Sequence, residues 1–170
     1  VAGKSTVLAK INKIYPNVDK NHPALKEIID TIKDLEYGGY QFEGADASFE
    51  LIVHKAFKNI KEYFKVLDFK TIGQGPLVEN VMSSSAITKV IVNGVEEVTG
   101  ANGNGPVDAL NNALRKAVAK FYPSLNNVYL SDYKVRILDG KESATAATTR
   151  VIIESTDGMN TWSTVGVSKD

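Results

Sequence analysis

Thr99-Gly100-Ala101-Asn102-Gly103-Asn104-Gly105-Pro106-Val107-Asp108-Ala109 is the stretch from which the fold of the whole chain can be worked out. Gly100, Gly103 and Gly105 can take backbone conformations that are closed to other residues, and the φ angle of Pro106 is preset for the first turn of a helix. We therefore predict that a strand ends in this stretch and that a helix begins abruptly at Pro106.

The segment after Pro106 has the periodicity of an amphipathic helix. Its apolar residues recur at three- and four-residue steps, and they are Val107, Leu110, Ala113, Leu114, Ala117, Val118 and Phe121. Tyr122-Pro123-Ser124 ends the pattern, so we predict a helix over residues 106–122. A helix that opens on glycines presents backbone N–H groups and a positive dipole end, which suit a carboxylate or a phosphate. A tight connection without a ligand explains the same spacing, and the spacing alone favours this simpler interpretation.

The composition excludes several classes of protein. The 170 residues are 43% hydrophobic, which allows a sizeable core, but a barrel enzyme needs roughly 250 residues. Lys and Arg balance Asp and Glu at 20 each, so we expect no nucleic-acid partner. The sequence has no signal-peptide pattern and no apolar run of about 18 residues, so we expect a cytoplasmic protein that is not inserted in a membrane. It has no Cys, so we expect no disulfides. Because the chain begins with Val1 and ends after an apolar run, we expect a piece of a longer protein.

The amino-terminal third is predicted to be helical. Pro16 ends the first of three apolar stripes, Pro23 opens the second and Gly38-Gly39 closes it, and Asp46 or Ser48 is available to cap the third. The stripes are Val7, Leu8, Ile11 and Ile14; Leu25, Ile28, Ile29, Ile32 and Leu35; and Phe49, Ile52, Val53, Ala56, Phe57 and Ile60. They contain no obvious chemistry, so we expect a helical linker over residues 1–62.

From Tyr63 onward the pattern is typical of strands. Residues 64–69 and the β-branched run over residues 87–92 are predicted strands, separated by a loop over residues 74–85. Asn93-Gly94 is a two-residue hairpin signal, so residues 95–99 should return antiparallel to the run before it.

The same order begins again after the helix. We predict a strand over residues 128–138, a loop over residues 139–147, and strands over residues 149–154 and 161–167 around a turn at Asp157-Gly158. The predicted fold class is therefore α+β, with antiparallel sheet in two strand-strand-strand-helix units, the second helix being truncated. We also predict self-association, because Val151-Ile152-Ile153 is apolar enough to need cover on more than one side.

The other candidate sites have simpler explanations. Ala2-Gly3-Lys4-Ser5-Thr6 resembles the end of a phosphate-binding loop, but no strand precedes it. His22 and His54 lie on different predicted helices, without metal-ligand spacing, and are interpreted as a helix-start polar residue and a partly buried helical residue. Ser83-Ser84-Ser85 is interpreted as a flexible linker and Glu96-Glu97 as a solvated strand edge. We therefore expect no catalytic residues and no metal ligands in this chain.

Five blocks, in order along the whole chain, resemble the carboxy-terminal part of the (R)-citramalate synthases, a branch of the isopropylmalate and homocitrate synthase superfamily. The block at residues 39–43, Gly-Tyr-Gln-Phe-Glu, separates this branch from true isopropylmalate synthases. The blocks are residues 38–51 (GGYQFEGADASFEL), 63–69 (YFKVLDF), 103–110 (GNGPVDAL), 131–138 (SDYKVRIL) and 162–168 (WSTVGVS).

The resemblance implies a regulatory role. In these enzymes an amino-terminal TIM barrel with a divalent metal joins acetyl-CoA to a 2-oxo acid, which is pyruvate in the citramalate branch. A helical linker then leads to a regulatory domain that dimerises and binds the end-product amino acid. By this resemblance, residues 63–170 form that domain, isoleucine is the expected effector, and the chain without its barrel is inactive. Leucine, as in isopropylmalate synthases, and a structural dimerisation domain without an effector are the alternatives.

The resemblance also implies a site for the effector at the dimer interface, formed by Gly103, Gly105, Val107, Asp108, Leu130, Tyr133 and Ile137. Backbone N–H groups at the start of the predicted helix suit the effector's carboxylate, and Asp108 or a backbone carbonyl suits its ammonium group. Tyr133 and Ile137 share one face of a strand. With Leu130 beside them across a bulge, they could form an apolar slot.

Overall fold

The protein, as described by a computed structural model over residues 3–75, 83–138 and 147–169, has an α+β fold, as predicted. The helices are α1 (Lys4–Ile14), α2 (Pro23–Tyr37), α3 (Asp46–Ala56) and α4 (Pro106–Val118), and a 3-10 helix spans Pro123–Asn127. The strands are β1 (Phe64–Gln74), β2 (Ser83–Val92), β3 (Val95–Gly103), β4 (Tyr129–Ile137), β5 (Thr148–Thr156) and β6 (Thr161–Lys169).

The strands form two antiparallel sheets, each with its strands in sequence order. Sheet A is β1-β2-β3 and sheet B is β4-β5-β6. The chain divides into two compact units, which we call unit A (Lys61–Asn127) and unit B (Val1–Ile60 with Val128–Asp170). Sheet A and α4 belong to unit A, whereas sheet B and the first three helices belong to unit B.

The compact units differ from the division that we predicted, a linker over residues 1–62 and a regulatory domain over residues 63–170. Specific hydrogen bonds join the helical segment to sheet B. Arg150 on β5 donates from Nε to the carbonyl oxygen of Gly39 and from Nη1 to Oε1 of Gln41, each at 2.6 Å. The backbone N–H of Val165 on β6 donates to the Ser48 hydroxyl at 2.9 Å. The functional division into linker and regulatory domain stays a prediction.

The amino-terminal helices begin and end largely where the sequence predicts. Nδ1 of His22 accepts a hydrogen bond from the Ala24 backbone N–H at 3.2 Å, so the imidazole caps α2. At α3 the N-cap is Ala45, whose methyl side chain cannot cap the helix, and the Ser48 hydroxyl accepts a hydrogen bond from β6. The third helix also ends at Ala56 and does not reach Ile60. The three helices pack around one apolar core, which consists of Val7, Ile11, Ala24, Leu25, Ile28, Ile32, Phe42, Phe49 and Val53.

In unit A, α4 packs on one face of sheet A. Alternate residues of β2 are buried against it, as expected for a strand with one covered face. Two groups of buried residues form the contact: Val90, Val92, Ala117 and Val118, and Ala86, Ala109 and Ala113. The Thr99 hydroxyl lies within hydrogen-bond distance of the buried Thr88 hydroxyl, at 3.2 Å, and donates to the Ala113 carbonyl oxygen at 2.7 Å.

Helix α4 is shorter than predicted, and it buries a different first residue. It ends at Val118, not at Tyr122, and the chain then turns into the 3-10 helix. Val107 is 58% exposed, whereas Ala109 is fully buried. The predicted stripe therefore begins on the wrong residue, because the helix approaches sheet A through its small side chains.

The hairpin prediction is confirmed, and β1, β2, β3, β5 and β6 are longer than predicted. Asn93 and Gly94 both have positive φ angles, 49° and 80°, and connect β2 to β3. Ser83-Ser84-Ser85 is the start of β2, so its interpretation as a flexible linker is wrong, and the Ser85 hydroxyl donates to Oδ1 of Asn102 on β3 at 2.8 Å. Residues 76–82 and 139–146 of the two predicted loops lie outside the described residues.

Candidate functional site

Gly103, at the end of β3, allows α4 to begin very close to sheet A. A Cβ atom at this position would lie 2.7 Å from the Asp108 carbonyl carbon and 2.8 Å from Cα of Ala109, and closer still to the Ala109 nitrogen. These are backbone atoms of the helix, which cannot move aside without moving the helix itself. Glycine is therefore required here because of a close approach, and not because of a special backbone angle.

The other two glycines of the stretch are not required in the way that we predicted. A Cβ atom at Gly100 would lie at an ordinary 3.5 Å from the Ala86 carbonyl oxygen, and one at Gly105 would meet nothing within 4 Å. Gly105 has an extended backbone, with φ −162° and ψ 175°, that any residue can adopt. Glycines with positive φ in the described residues are Gly39, Gly44, Gly94 and Gly158, so the prediction of special conformations at Gly100, Gly103 and Gly105 is wrong.

The start of α4 is held by the Asp108 carboxylate. Asp108 accepts a hydrogen bond from the Asn104 backbone N–H at 2.9 Å, and a longer one from the Asn112 side-chain amide at 3.4 Å. Asn112 also donates to the Asn102 carbonyl oxygen at 3.1 Å. A negative charge in the first turn of a helix is stabilised by the helix dipole. The Asp108 carboxylate, which we predicted to bind the ammonium group of an effector, therefore already stabilises this turn through hydrogen bonds.

An open cavity of about 310 Å³ borders this turn. It is lined by Gly73, Gly75, Ser83, Ser84, Asn104, Gly105 and Pro106. Its volume is at the lower end of the range of roughly 300–1,000 Å³ that is usual for small-molecule sites. Of the predicted effector residues in unit A, Gly105 contributes to its lining.

The remaining predicted site residues lie on β4, in unit B. The register of β4 shifts between Leu130 and Asp132, which confirms the bulge that would place Leu130 beside Tyr133. Leu130, Tyr133 and Ile137 pair with Ser155, Ile153 and Thr149 of β5, so they lie on one face of sheet B. Tyr133 is 50% and Ile137 65% exposed. We call the apolar surface of Leu130, Tyr133, Val135, Ile137, Val151, Ile153 and Trp162 the open face of sheet B.

The predicted effector residues thus form two groups. Gly103, Gly105, Val107 and Asp108 lie together at the junction of β3 and α4, and Leu130, Tyr133 and Ile137 lie together on the open face of sheet B. Because the groups belong to different compact units, their action as one site stays a prediction.

The histidines have the structural roles that we expected. His22 caps α2, and Nδ1 of the partly buried His54 is hydrogen-bonded to the Tyr15 hydroxyl at 2.7 Å. The prediction of a solvated strand edge is confirmed for Glu96, which is exposed on the edge strand β3 and paired with Lys89 at 2.9 Å. It is wrong for Glu97, which is largely buried and paired with Lys120. Within the described ranges, no three His, Cys, Asp or Glu side chains are grouped so that they could hold a metal ion. None of the described helices is long and apolar enough to cross a membrane.

The sequence analysis missed two charged residues in unit B. Arg150 binds the Gly39–Gln41 segment, and Glu36 has a buried carboxylate oxygen. A signal was available for Glu36, since it follows Ile32 by four residues and so lies beside the apolar stripe of α2. Arg150 directly precedes the apolar run Val151-Ile152-Ile153 on β5, and no sequence signal indicates its partners.

Comparison with known proteins gives the family. The sequence profile of the LeuA allosteric (dimerisation) domain matches residues 43–170. The chain is 43% identical to the (R)-citramalate synthase of Aquifex aeolicus over 170 residues, covering the whole chain and 32% of that protein. It is 45% identical to the (R)-citramalate synthase of Geobacter sulfurreducens over 170 residues, with the same coverage. For the (R)-citramalate synthase of Synechocystis sp. the identity is 46% over 173 residues, covering 98% of the chain and 31% of that protein.

The chain thus spans about a third of the length of these relatives, whereas the domain profile covers most of the chain. The two three-stranded antiparallel sheets agree with the strand-strand-strand-helix units expected of such a domain. The chain therefore belongs to the family of LeuA allosteric (dimerisation) domains.

Proposed function

We propose that the chain is the regulatory part of a longer enzyme like the (R)-citramalate synthases, that it binds isoleucine as a feedback inhibitor, and that it forms a homodimer. The match of residues 43–170 to an allosteric dimerisation domain carries this proposal. The longer enzyme would condense acetyl-CoA with pyruvate in a metal-dependent barrel outside these residues. The chain by itself would then be inactive.

We assign the effector to Gly103, Gly105, Val107, Asp108, Leu130, Tyr133 and Ile137. The start of α4 supports the position of the carboxylate, because its N-cap residue Gly105 has no side-chain hydrogen bond and the helix dipole favours negative charge there. The exposed group on β4 supports the position of the branched side chain, because it offers apolar surface beside an aromatic ring. The ammonium group would share Asp108 with the Asn104 N–H, or bind a backbone carbonyl.

The open face of sheet B supports the homodimer. Its apolar residues on β4 are about half exposed, and an apolar surface of this kind is typical of protein interaction sites. A second copy that covered this face would bury Tyr133 and Ile137, so effector binding and dimerisation would be coupled.

A structural dimerisation domain without an effector is the second candidate. The bond from the Asn104 N–H to Asp108 favours it, because this contact already explains why an acidic residue lies in the first turn of α4. Leucine in place of isoleucine is a third alternative, which the comparison of ligands below distinguishes.

Titration calorimetry with isoleucine, leucine and valine tests the proposal. Isoleucine should bind with at least tenfold higher affinity than valine, because one methylene group in an apolar pocket is worth roughly 1–3 kcal/mol. Tyr133→Ala should weaken isoleucine binding at least tenfold. Tyr129→Ala is the matched control, since Tyr129 lies on the same strand with 56% exposure but pairs with Thr156 on the opposite face. No binding of any of the three amino acids, or equal binding by both variants, would contradict the proposed site.

A further inference from the structure

The cavity beside the start of α4 lies over a row of three small residues that crosses sheet A. Ser84 on β2 pairs with Gly73 on β1 and with Gly103 on β3, and these positions are on the face of the sheet that α4 covers. Because the two neighbours are glycines, the hydroxymethyl group of Ser84 is the only side chain in the row. The row therefore leaves room above the sheet, where the cavity of about 310 Å³ lies.

The Ser84 hydroxyl has no hydrogen-bond partner in the described part of the chain. Ser84 is only 6% exposed and lines the cavity, whereas the hydroxyl of the next residue, Ser85, is bonded to Asn102. Among the described residues, Oε2 of Glu36 is the one unpartnered side-chain oxygen that is fully shielded, so the Ser84 oxygen keeps some accessible surface. A largely buried hydroxyl without a partner is costly, and an acceptor atom supplied by a ligand would explain it.

The start of α4 supplies further donors at the same place. Pro106 has no N–H group, and the Ala109 N–H donates to the carbonyl oxygen of Gly105 at 2.9 Å. The N–H groups of Val107 and Asp108 have no acceptor among the described residues, as is usual in the first turn of a helix. Gly105 and Pro106 line the cavity, so the hydroxyl and the first turn of α4 border the same space.

The charges at the cavity favour a zwitterion over a simple anion. The residues that line it carry no charged side chain, whereas the Asp108 carboxylate in the same turn is held by its hydrogen bond from the Asn104 N–H. A bare anion at the start of α4 would be repelled by Asp108. An α-amino acid has an ammonium group next to its carboxylate, which offsets this repulsion.

We propose that Ser84 is a further binding residue for the effector, and that its hydroxyl donates a hydrogen bond to the carboxylate of the bound amino acid. The N–H groups of Val107 and Asp108 donate to the same carboxylate, and the glycines beside Ser84 give the carboxylate access to the hydroxyl. This inference rests on the proposed binding of isoleucine, and it adds to the assigned site a residue of β2 that lies outside the glycine stretch.

Titration calorimetry of the 170-residue chain with isoleucine tests the role of Ser84. Ser84→Ala should weaken isoleucine binding at least tenfold, because a hydrogen bond to a charged group is lost. Ser85→Ala is the matched control on the opposite face of β2, and it should change the affinity less than threefold. Equal isoleucine affinities of wild type and Ser84→Ala would overturn the proposal and leave the proposed function intact. Absence of isoleucine, leucine and valine binding by the wild type would instead overturn the proposed function, and this assignment with it.

Urea denaturation without a ligand separates a binding role from a structural one. Because the Ser84 hydroxyl has no partner in the folded chain, Ser84→Ala should leave the urea midpoint unchanged or raise it. A lower midpoint would show that the hydroxyl stabilises the fold, which would contradict the proposal.

Gly73→Val tests the cavity itself. A Cβ atom at Gly73 would meet nothing within 4 Å, so the added side chain should fill part of the cavity, weaken isoleucine binding at least tenfold and leave the urea midpoint unchanged. Gly100→Val makes the same change on the opposite face of sheet A and should alter isoleucine binding less than threefold. Unchanged isoleucine binding by Gly73→Val would place the carboxylate elsewhere and contradict the proposal.

A ligand without the carboxylate identifies the group that Ser84 binds. The amine 2-methylbutylamine has the side chain and amino group of isoleucine but no oxygen atom. Its affinity, measured by NMR titration, should differ less than threefold between wild type and Ser84→Ala. If Ser84→Ala weakens amine binding as much as isoleucine binding, the hydroxyl does not act on the carboxylate and the proposal is wrong.

Discussion

Sheet A and sheet B have the same plan but different surroundings. Both are antiparallel with their strands in sequence order, and both have a bulge near the start of the first strand, at Val66/Asp68 and at Leu130/Asp132. When the bulges are aligned, Tyr133 corresponds to Phe69, and Ser168 corresponds to Gly103 at the end of the third strand. The open face of sheet B is thus the counterpart of the face of sheet A that α4 covers.

The difference between the two sheets is in burial. Alternate residues of β2 are buried under α4, whereas β4 is exposed along its whole length and the inner residues of β5 are only partly buried. Two sheets with the same strand order and register can therefore differ in burial, because a sheet face is removed from solvent only where another element packs on it. Our proposal assigns this uncovered apolar face to a second copy of the chain and to the effector, because exposed apolar surfaces are typical of interaction sites.

Gly103→Ala should show the largest effect, because it affects the place where α4 approaches sheet A. The added methyl group would overlap the helix backbone, and we expect a loss of about 3 kcal/mol in the free energy of unfolding, measured by urea denaturation. Gly100→Ala, three residues earlier on the same strand, has space and should change stability by less than about 1 kcal/mol. Ser168→Ala, at the counterpart position in sheet B, should be nearly neutral. Similar values for all three would contradict the proposed role of Gly103.

Val90→Ala and Val135→Ala together compare the covered face of sheet A with the open face of sheet B. Val90 is fully buried under α4, so removal of its methyl groups should cost about 2 kcal/mol. Val135→Ala, on the open face of sheet B, should cost less than about 0.5 kcal/mol in dilute protein. If a second copy covers this face, the effect of Val135→Ala should grow with protein concentration. A large effect of Val135→Ala at every concentration would show that the face is buried within one chain.

Ile137→Asp tests whether the open face of sheet B mediates self-association. A charge at this apolar position should weaken dimerisation at least tenfold, or about 1.4 kcal/mol, in sedimentation velocity experiments. Val98→Asp is the control, since Val98 is 61% exposed on the face of sheet A that points away from α4. Dissociation by Val98→Asp in place of Ile137→Asp would assign the interface to sheet A.

The smallest effect is expected at the β5–β6 turn. The backbone N–H groups of Asn160 and Met159 donate to the Asp157 carboxylate and lower its pKa. A lowered pKa in the folded state stabilises the fold above the unfolded-state pKa of about 3.9, and this contribution is lost as the pH falls through the folded-state value. In the Asp157→Asn variant, the free energy of unfolding should therefore fall less steeply as the pH is lowered into the acidic range. The same pH dependence of this free energy in both proteins would contradict the role of Asp157.

The local elements were predicted well from sequence because their signals are local. Pro23 and Gly38-Gly39 bound α2, and Asn93-Gly94 adopts the positive φ angles that a two-residue hairpin requires. The second set of strands was found by its alternation and by the turn at Asp157-Gly158.

The errors concern features that depend on tertiary contacts. The sequence shows three glycines in the decisive stretch, but only the distance between β3 and α4 shows that Gly103 alone needs to be glycine. Val107 is more hydrophobic than Ala109, yet the alanine is buried because the helix lies so close to the sheet. The partner of Arg150 lies 109 residues away at Gln41, and no periodicity predicts such a contact.

Thermal unfolding of the chain in the presence of isoleucine, leucine or valine tests the central claim most directly, because a ligand that binds only the folded state raises its midpoint. At a hundredfold excess over its dissociation constant, isoleucine should add about 2.7 kcal/mol, which corresponds to roughly 5–10 °C for a chain of this length, and valine should give a smaller shift at the same concentration. Tyr133→Ala, which should weaken isoleucine binding at least tenfold, should reduce this shift to about half or less at the same isoleucine concentration. If saturating isoleucine, leucine and valine all leave the midpoint unchanged, the junction of β3 and α4 is only a structural turn and the domain serves dimerisation without an effector.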